Sequence, residues 1–261
     1  MTAPAFRRYI GIDYSGAKTP DSGLTGIRVY MADRNSLPKE ILPPPGPSRY
    51  WTRRGLAWWL AERLMENVPS IAGIDHGFSF PGRYFQDQQL NPDWPSFLDD
   101  FHRHWPTDAE HTTVQCIRDG VTGNGEARSG SARWRRIAEE RAGAKSVFHF
   151  DVPGSVAKST HAGLPWLLFL RQRLGERVRF WPFDGWEVPK GFSVLAEVYP
   201  SLWRNAFPLK NSTPDQQDAY AAAAWLQRGD LHGTLHPALS PSLSPEESRI
   251  AGIEGWILGV P

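Results

Sequence analysis

Two aspartates close apolar runs after the same dipeptide, Asp13 in "YIGIDYSGA" and Asp75 in "IAGIDHGFSFPG". Aspartate bonds readily to nearby backbone donors, so a turn or cap residue is the plainer reading of either one alone. Glu197 is harder to place, because "SVLAEVYPS" sets an acid inside a run of apolar and aromatic residues. A carboxylate there needs an ion pair, hydrogen bonds or a metal, and an arginine such as Arg204 is a candidate partner. The fourth acid is Asp218, in "NSTPDQQDAYAAAAWLQRG". On a helix its i+3, i+4 and i+7 neighbours are Ala221, Ala222 and Trp225, so its side chain faces the body of the protein. Asp215, in the first turn of that helix, is explained by the helix dipole. Taken together, two or three strand carboxylates and one helical carboxylate suit hard cations. Mg2+ and Mn2+ prefer oxygen ligands, and a pair of them can activate water and stabilise the departing oxygen of a phosphodiester.

Positioning these acids requires strands that end at them. Residues 9–13 and 71–75 read as buried strands, with further strands expected at 24–31 and 40–42 and a helix over 52–67 from the spacing of Leu56, Trp59, Leu60 and Leu64. The run "PPPGP" is a stiff connector, since proline lacks a donor and fixes φ. Periodicity weakens over 81–145, which reads as an insertion after the fourth strand, and resumes with a strand at 146–150. In "HAGLPWLLFLRQRLG", Pro165 suits a first helical turn and Gly175 the stop. Strands at 177–181 and 193–199 follow, and then a helix over 214–228. Its start carries a capping box of Thr213 and Gln216, with Pro214 at the first helical position. The stretch "HPALSPSLSPEE" reads as a flexible tether. The whole, residues 1–261, reads as a single α/β domain.

Composition bounds the partners. A net charge of +1 excludes a strong whole-molecule pull on polyanions but leaves local basic patches open. The single cysteine, Cys116, forms no intramolecular disulfide, and no leader-like segment opens the sequence, so a cytoplasmic location is expected. No apolar run is long enough for a membrane span. With a single cysteine no C-x-x-C spacing occurs, which argues against a zinc site of that kind, and the absence of G-x-S-x-G argues against a serine hydrolase. His161 is expected to cap its helix or touch a substrate phosphate, with Lys158 as a neighbouring cation.

The segments "IGIDYSGA", "GIDHGFSFP", "AEVYPSLW", "DQQDAYAAAAWL" and "EGWILGV", in that order, resemble the ribonuclease H-like family catalogued as domain of unknown function 429. The resemblance implies a mixed five-stranded sheet flanked by helices, with the first three strands antiparallel. It also implies metal-dependent phosphodiester chemistry, with Asp13, Asp75, Glu197 and Asp218 as the catalytic and metal-binding acids and a nucleic acid as the candidate substrate. The glutamate that ribonuclease H enzymes carry after the third strand has only Glu62 and Glu66 as candidates, and neither is assigned.

Two other functions fit parts of the pattern. Asp13 followed by Ser15 and Gly16 also resembles the phosphate-binding hairpin of actin-like phosphotransferases, although that architecture normally duplicates its core. A catalytically inactive nucleic-acid-binding module would use the basic stretch "ARSGSARWRRIAEERAG". The spacing of Arg133, Arg135 and Arg136 before Glu139 and Glu140 equally predicts a solvated helix with i,i+4 ion pairs.

Overall fold

Alternation of buried side chains on two sides of a strand organises the molecule, which we describe from a computed structural model covering residues 5–16 and 18–261. Strand β1 (Arg8–Tyr14) lies at the centre of the sheet, buried along nearly its whole length. It pairs antiparallel with β2 (Ile27–Asp33), which pairs antiparallel with the two-residue β3 (Lys39–Glu40). On its other side β1 runs parallel to β4 (Ser70–Asp75), followed by β6 (Ser193–Glu197) and the edge strand β5 (Val178–Trp181), both parallel as well. The order is β3-β2-β1-β4-β6-β5, so the mixed sheet has six strands where five were expected.

The α-helices are α1 (Arg53–Met65), α2 (Gly82–Asp87), α3 (Trp94–His104), α4 (Val114–Arg118), α5 (Ile137–Ala142), α6 (Ala157–Leu174), α7 (Pro214–His232), α8 (Leu235–Ala238) and α9 (Pro245–Glu254). Ile10 and Ile12 of β1 join Leu56 and Leu60 of α1 and Leu164 and Leu167 of α6 in one core. Tyr9, Ile71 and Val194 join Ala222 and Leu226 of α7 in a second core across the sheet. Gly11 is what allows α7 to lie so close: a Cβ there would stand 2.2 Å from Ala219 O and 2.4 Å from Ala223 N. The glycine of the first G-I-D and the alanine run of α7 are thus two halves of one contact.

Helix α7 starts as expected, with Thr213 accepting from Gln216 N and the Gln216 side chain accepting from Thr213 N, and it runs on to a glycine stop at Gly233. Helix α1 is capped by Thr52. Helix α6 departs from expectation: it begins at Ala157, which leaves Pro165 in its interior. Proline withholds the donor that His161 O would otherwise receive. The Thr107 hydroxyl donates to that carbonyl instead, at 2.9 Å, so the helix continues without a stranded acceptor.

Three other expectations are corrected. Residues 146–150 form turns rather than a strand. The apolar content of "SVFHF" serves packing, with Phe148 and Phe150 set against Trp134, Tyr84, Trp105 and His161. The basic stretch is not a long solvated helix either: α5 starts only at Ile137, and Arg136, its N-cap residue, is fully buried. The expected tether contains most of α8 and the first turn of α9, whose last residue, Glu254, accepts from Gly82 N and Ile137 N and so ties the 81–145 segment to the end of the chain. Among the described residues no helix is long and apolar enough to cross a membrane.

Candidate metal centre

Asp13 and Asp75 are direct partners in the parallel ladder between β1 and β4. Partners in a ladder project to the same side of a sheet, here the side covered by α7. The close seating of α7 over Gly11 carries Asp218, the residue before Ala219, to the ends of these strands. One oxygen from each of Asp13, Asp75 and Asp218 lies within 4.8 Å of the others. Among the described residues this is the one group of three or more potential metal-ligating side chains so arranged.

The three carboxylates are poorly compensated. Ser15 N donates to Asp13 Oδ1 at 2.9 Å, and Arg204 Nη2 stands 3.1 Å from Asp218 Oδ2. Asp218 Oδ1 is buried with no hydrogen-bond partner. Burial raises the Asp13 pKa to about 7; the charges of Asp215 and Asp218 add to that rise, and hydrogen bonds from Ser15 oppose it. Asp75 is raised well above the ordinary carboxylate range, first by burial and then by Asp13, Asp218 and Glu197. Asp218 is raised by burial against the pull of Arg204. Three hard oxygen donors held together, one orphaned, with their charges unmet, fit a divalent cation of the Mg2+ or Mn2+ type. No histidine or cysteine joins them, as softer metals would favour.

Glu197, the fourth expected ligand, is set apart from this group. In the ladder it pairs with Ile74, not with Asp75, so it projects to the opposite side of the sheet. There it closes on Arg136: Nη1 donates to Oε2 at 2.6 Å and Nη2 to Oε1 at 2.5 Å, while Phe78 N also donates to Oε2. Arg136 Nε donates to Glu139 Oε1 as well, at 3.0 Å. The partner suggested by sequence, Arg204, stands instead beside Asp218.

Above the acids lies a cavity of about 200 Å³. Asp215 lines it, one turn before Asp218, and its charge reaches Asp13; the i,i+3 spacing was the signal for it, obscured because the helix dipole already explained an acid there. Lys145 and Arg204 are the cations at its wall, with the buried Arg136 behind Glu197. The two residues expected to meet substrate do not line it. Lys158 is exposed elsewhere on α6, and His161 is fully buried among aromatic rings, its Nδ1 donating to Ala157 O. Burial lowers the His161 pKa to about 3, so the ring is neutral and offers a phosphate no charge.

Comparison with known proteins leaves the geometry to speak alone: no family model matches the chain, and neither a curated protein nor a solved structure does.

Proposed function

We propose that the chain is a ribonuclease H-like, divalent-cation-dependent hydrolase of phosphodiester bonds, with nucleic acid as its substrate. The observation that carries this reading is the convergence of Asp13, Asp75 and Asp218, their oxygens within 4.8 Å and one of them orphaned. The strand order and the antiparallel β1, β2 and β3 support the ribonuclease H-like part, with β5 as an added edge strand.

Asp13, Asp75 and Asp218 would hold Mg2+ or Mn2+. When bound, such a cation polarises a phosphodiester oxygen and makes water a stronger nucleophile near neutral pH. The chain's own contribution is positioning. Ser15 N fixes the orientation of the Asp13 carboxylate, and α7 fixes that of Asp218. Lys145 and Arg204, at the cavity wall, are the groups available to draw a phosphate toward the acids. Arg136 cancels the charge of Glu197, which would otherwise repel that phosphate.

The rival functions have less support. A phosphotransferase of the actin-like kind would use the Ser15 turn for phosphate, yet Ser15 N is engaged by Asp13. A binding module built on the basic stretch loses Arg136 to the interior.

The test is cleavage of labelled single-stranded, duplex and branched DNA and RNA with Mg2+ or Mn2+, run beside calorimetric titration of Mn2+. Parent protein is expected to bind metal and cut at least one substrate, and Asp13→Asn to lose both. Cleavage by Asp13→Asn at the parental rate would sink the proposal.

A further inference from the structure

A second and larger cavity, of about 620 Å³, opens between α3, α4 and the start of α6. Trp105, Phe148, Phe150 and His161 line it, with Arg118 and Gly125. The Trp105 and Phe150 rings are nearly parallel, 9° apart in orientation with centroids separated by 6.3 Å. His161 stands 4.6 Å from each of them, steeply inclined to both.

Among the residues that line the cavity, two buried side-chain atoms have no hydrogen-bond partner: His161 Nε2 and Trp105 Nε1. Their chemistry is complementary. A carbonyl oxygen only accepts, so the 2.9 Å contact of His161 Nδ1 with Ala157 O puts the ring hydrogen on Nδ1. In the neutral ring Nε2 is then a bare acceptor, while the indole N–H of Trp105 only donates. Unmet polar atoms in a buried setting are costly and call for a ligand or ordered water.

The glycine-rich stretch "GVTGNGEARSG" packs against Trp105 and Phe148. A Cβ at Gly125 would stand 2.8 Å from Trp105 Cε2, the carbon bonded to Nε1, and one at Gly130 would stand 2.4 Å from Phe148 Cζ. Glycine permits this close cover.

Charge narrows the ligand further. Among the described residues Arg118 is the one cation lining the cavity, and it is committed to Asp151 through two 3.1 Å hydrogen bonds and to the face of Phe150. Asp119 and Glu126 also line it, so the rim is net acidic and disfavours a phosphate. Flat aromatic walls with one donor and one acceptor are how proteins stack on a base and read its edge.

We propose that this cavity, with its glycine-rich cover lifted, is a binding site for an uncharged nucleobase or nucleoside, packed against the Phe148 and Phe150 rings, whose edge donates to His161 Nε2 and accepts from the in-plane N–H of Trp105. The site is distinct from the acid cavity. Residues 144–156 form a wall common to both, facing the acids through Lys145 and Ser155 and the aromatic cavity through Phe148 and Phe150.

The experiment uses the full chain in chelator, with adenosine, guanosine, cytidine and uridine as probes in saturation-transfer NMR and thermal-shift titrations. At least one nucleoside is expected to bind saturably with a dissociation constant below about 1 mM, and its 5′-monophosphate at least about tenfold more weakly. His161→Phe keeps ring and packing but removes the acceptor, and Trp105→Phe removes the donor; each folded variant is expected to lose at least about tenfold in affinity. Asp13→Asn should bind the nucleoside as the parent does, which separates this site from the proposed metal centre. Absence of saturable nucleoside binding to the folded parent, undiminished binding by both ring variants, or a preference for benzamidinium or tetramethylammonium would each overturn the proposal. So would a crystal structure grown with saturating nucleoside that shows only an ordered water between the two nitrogens.

Discussion

Two groups of buried acids border one cavity and meet opposite fates. Glu197 and Glu139 close on Arg136, a fully buried cation whose guanidinium is shared between them. Asp13, Asp75 and Asp218 face one another across the sheet end, with Arg204 touching only Asp218 at their margin. The first group has a cation built into it, one guanidinium between two carboxylates, and ties the 81–145 segment to β6. The second carries charge that the chain leaves largely unmet, and its carboxyl groups hold protons to unusually high pH. Burial alone therefore does not separate an acid with a built-in cation from one without. What separates them is whether the protein supplies the counter-charge or leaves it to a ligand.

The strongest way to break this contrast is to remove the cation of the paired group. Arg136→Met should strand Glu197 and Glu139 and cost about 3–5 kcal/mol in urea denaturation, as expected when one partner of a buried pair is deleted. A parental unfolding midpoint would mean the pair contributes no net stability. Next, the open group should respond to cation where the closed one does not. Mg2+ or Mn2+ at a hundredfold over its dissociation constant should stabilise the parent by roughly 2.7 kcal/mol. Asp218→Asn should lose that gain, and a metal response of parental size in the variant would remove Asp218 from the site.

Smaller, and opposite in sign to the Arg136 variant, is the effect of neutralising an acid of the open group without metal. The folded chain holds the Asp13 proton up to about pH 7, whereas the unfolded chain releases it near pH 4. Between those values the folded state binds more protons, so this group's contribution to stability falls as pH rises and the loss is complete above pH 7. Asp13→Asn keeps an oxygen for Ser15 N and lacks the penalty. In chelator at pH 8 it should melt about 2–4 °C above the parent, the shift that ~1 kcal/mol produces in a chain of this size. The difference should vanish near pH 4. A variant that melts lower at pH 8 would show Asp13 to be a structural acid after all.

The smallest effect sharpens the margin between the groups. In the proposed metal centre Arg204 would compete with a cation for Asp218, to which it is paired, and exposed ion pairs are worth about 0.2–1 kcal/mol. Arg204→Gln should accordingly tighten Mn2+ binding by up to about fivefold in calorimetry. Weaker binding would mean that Arg204 organises the acids and does not compete with the metal.

Much of the open group was legible because its signals are local. Strand ends at Asp13 and Asp75, the cap at Thr213 and the inward face of Asp218 follow from periods of two and 3.6 and from near-neighbour hydrogen bonds. Even the phase of Glu197 was partly readable: Leu195 and Glu197 alternate with Val194 and Ala196, but nothing local says which set shares a side with Asp75. That depends on ladder register, which pairs Glu197 with Ile74. Its partner was less readable still, since Arg136 lies 61 residues away in a stretch whose spacing suggested a solvated helix.

The same limit explains the other corrections. "SVFHF" is as apolar as a strand, and only its neighbours make it a packed turn. Pro165 lies inside a helix because Thr107, 54 residues from His161, satisfies the carbonyl that the proline leaves open. By itself the sequence determined the strands that end at Asp13 and Asp75 and the helix that carries Asp218 on its inward face, because dihedral preference, capping and side-chain alternation act over a few residues. Only the tertiary structure decided which acids meet and which are neutralised, because charge compensation acts through space between residues that the chain order keeps far apart.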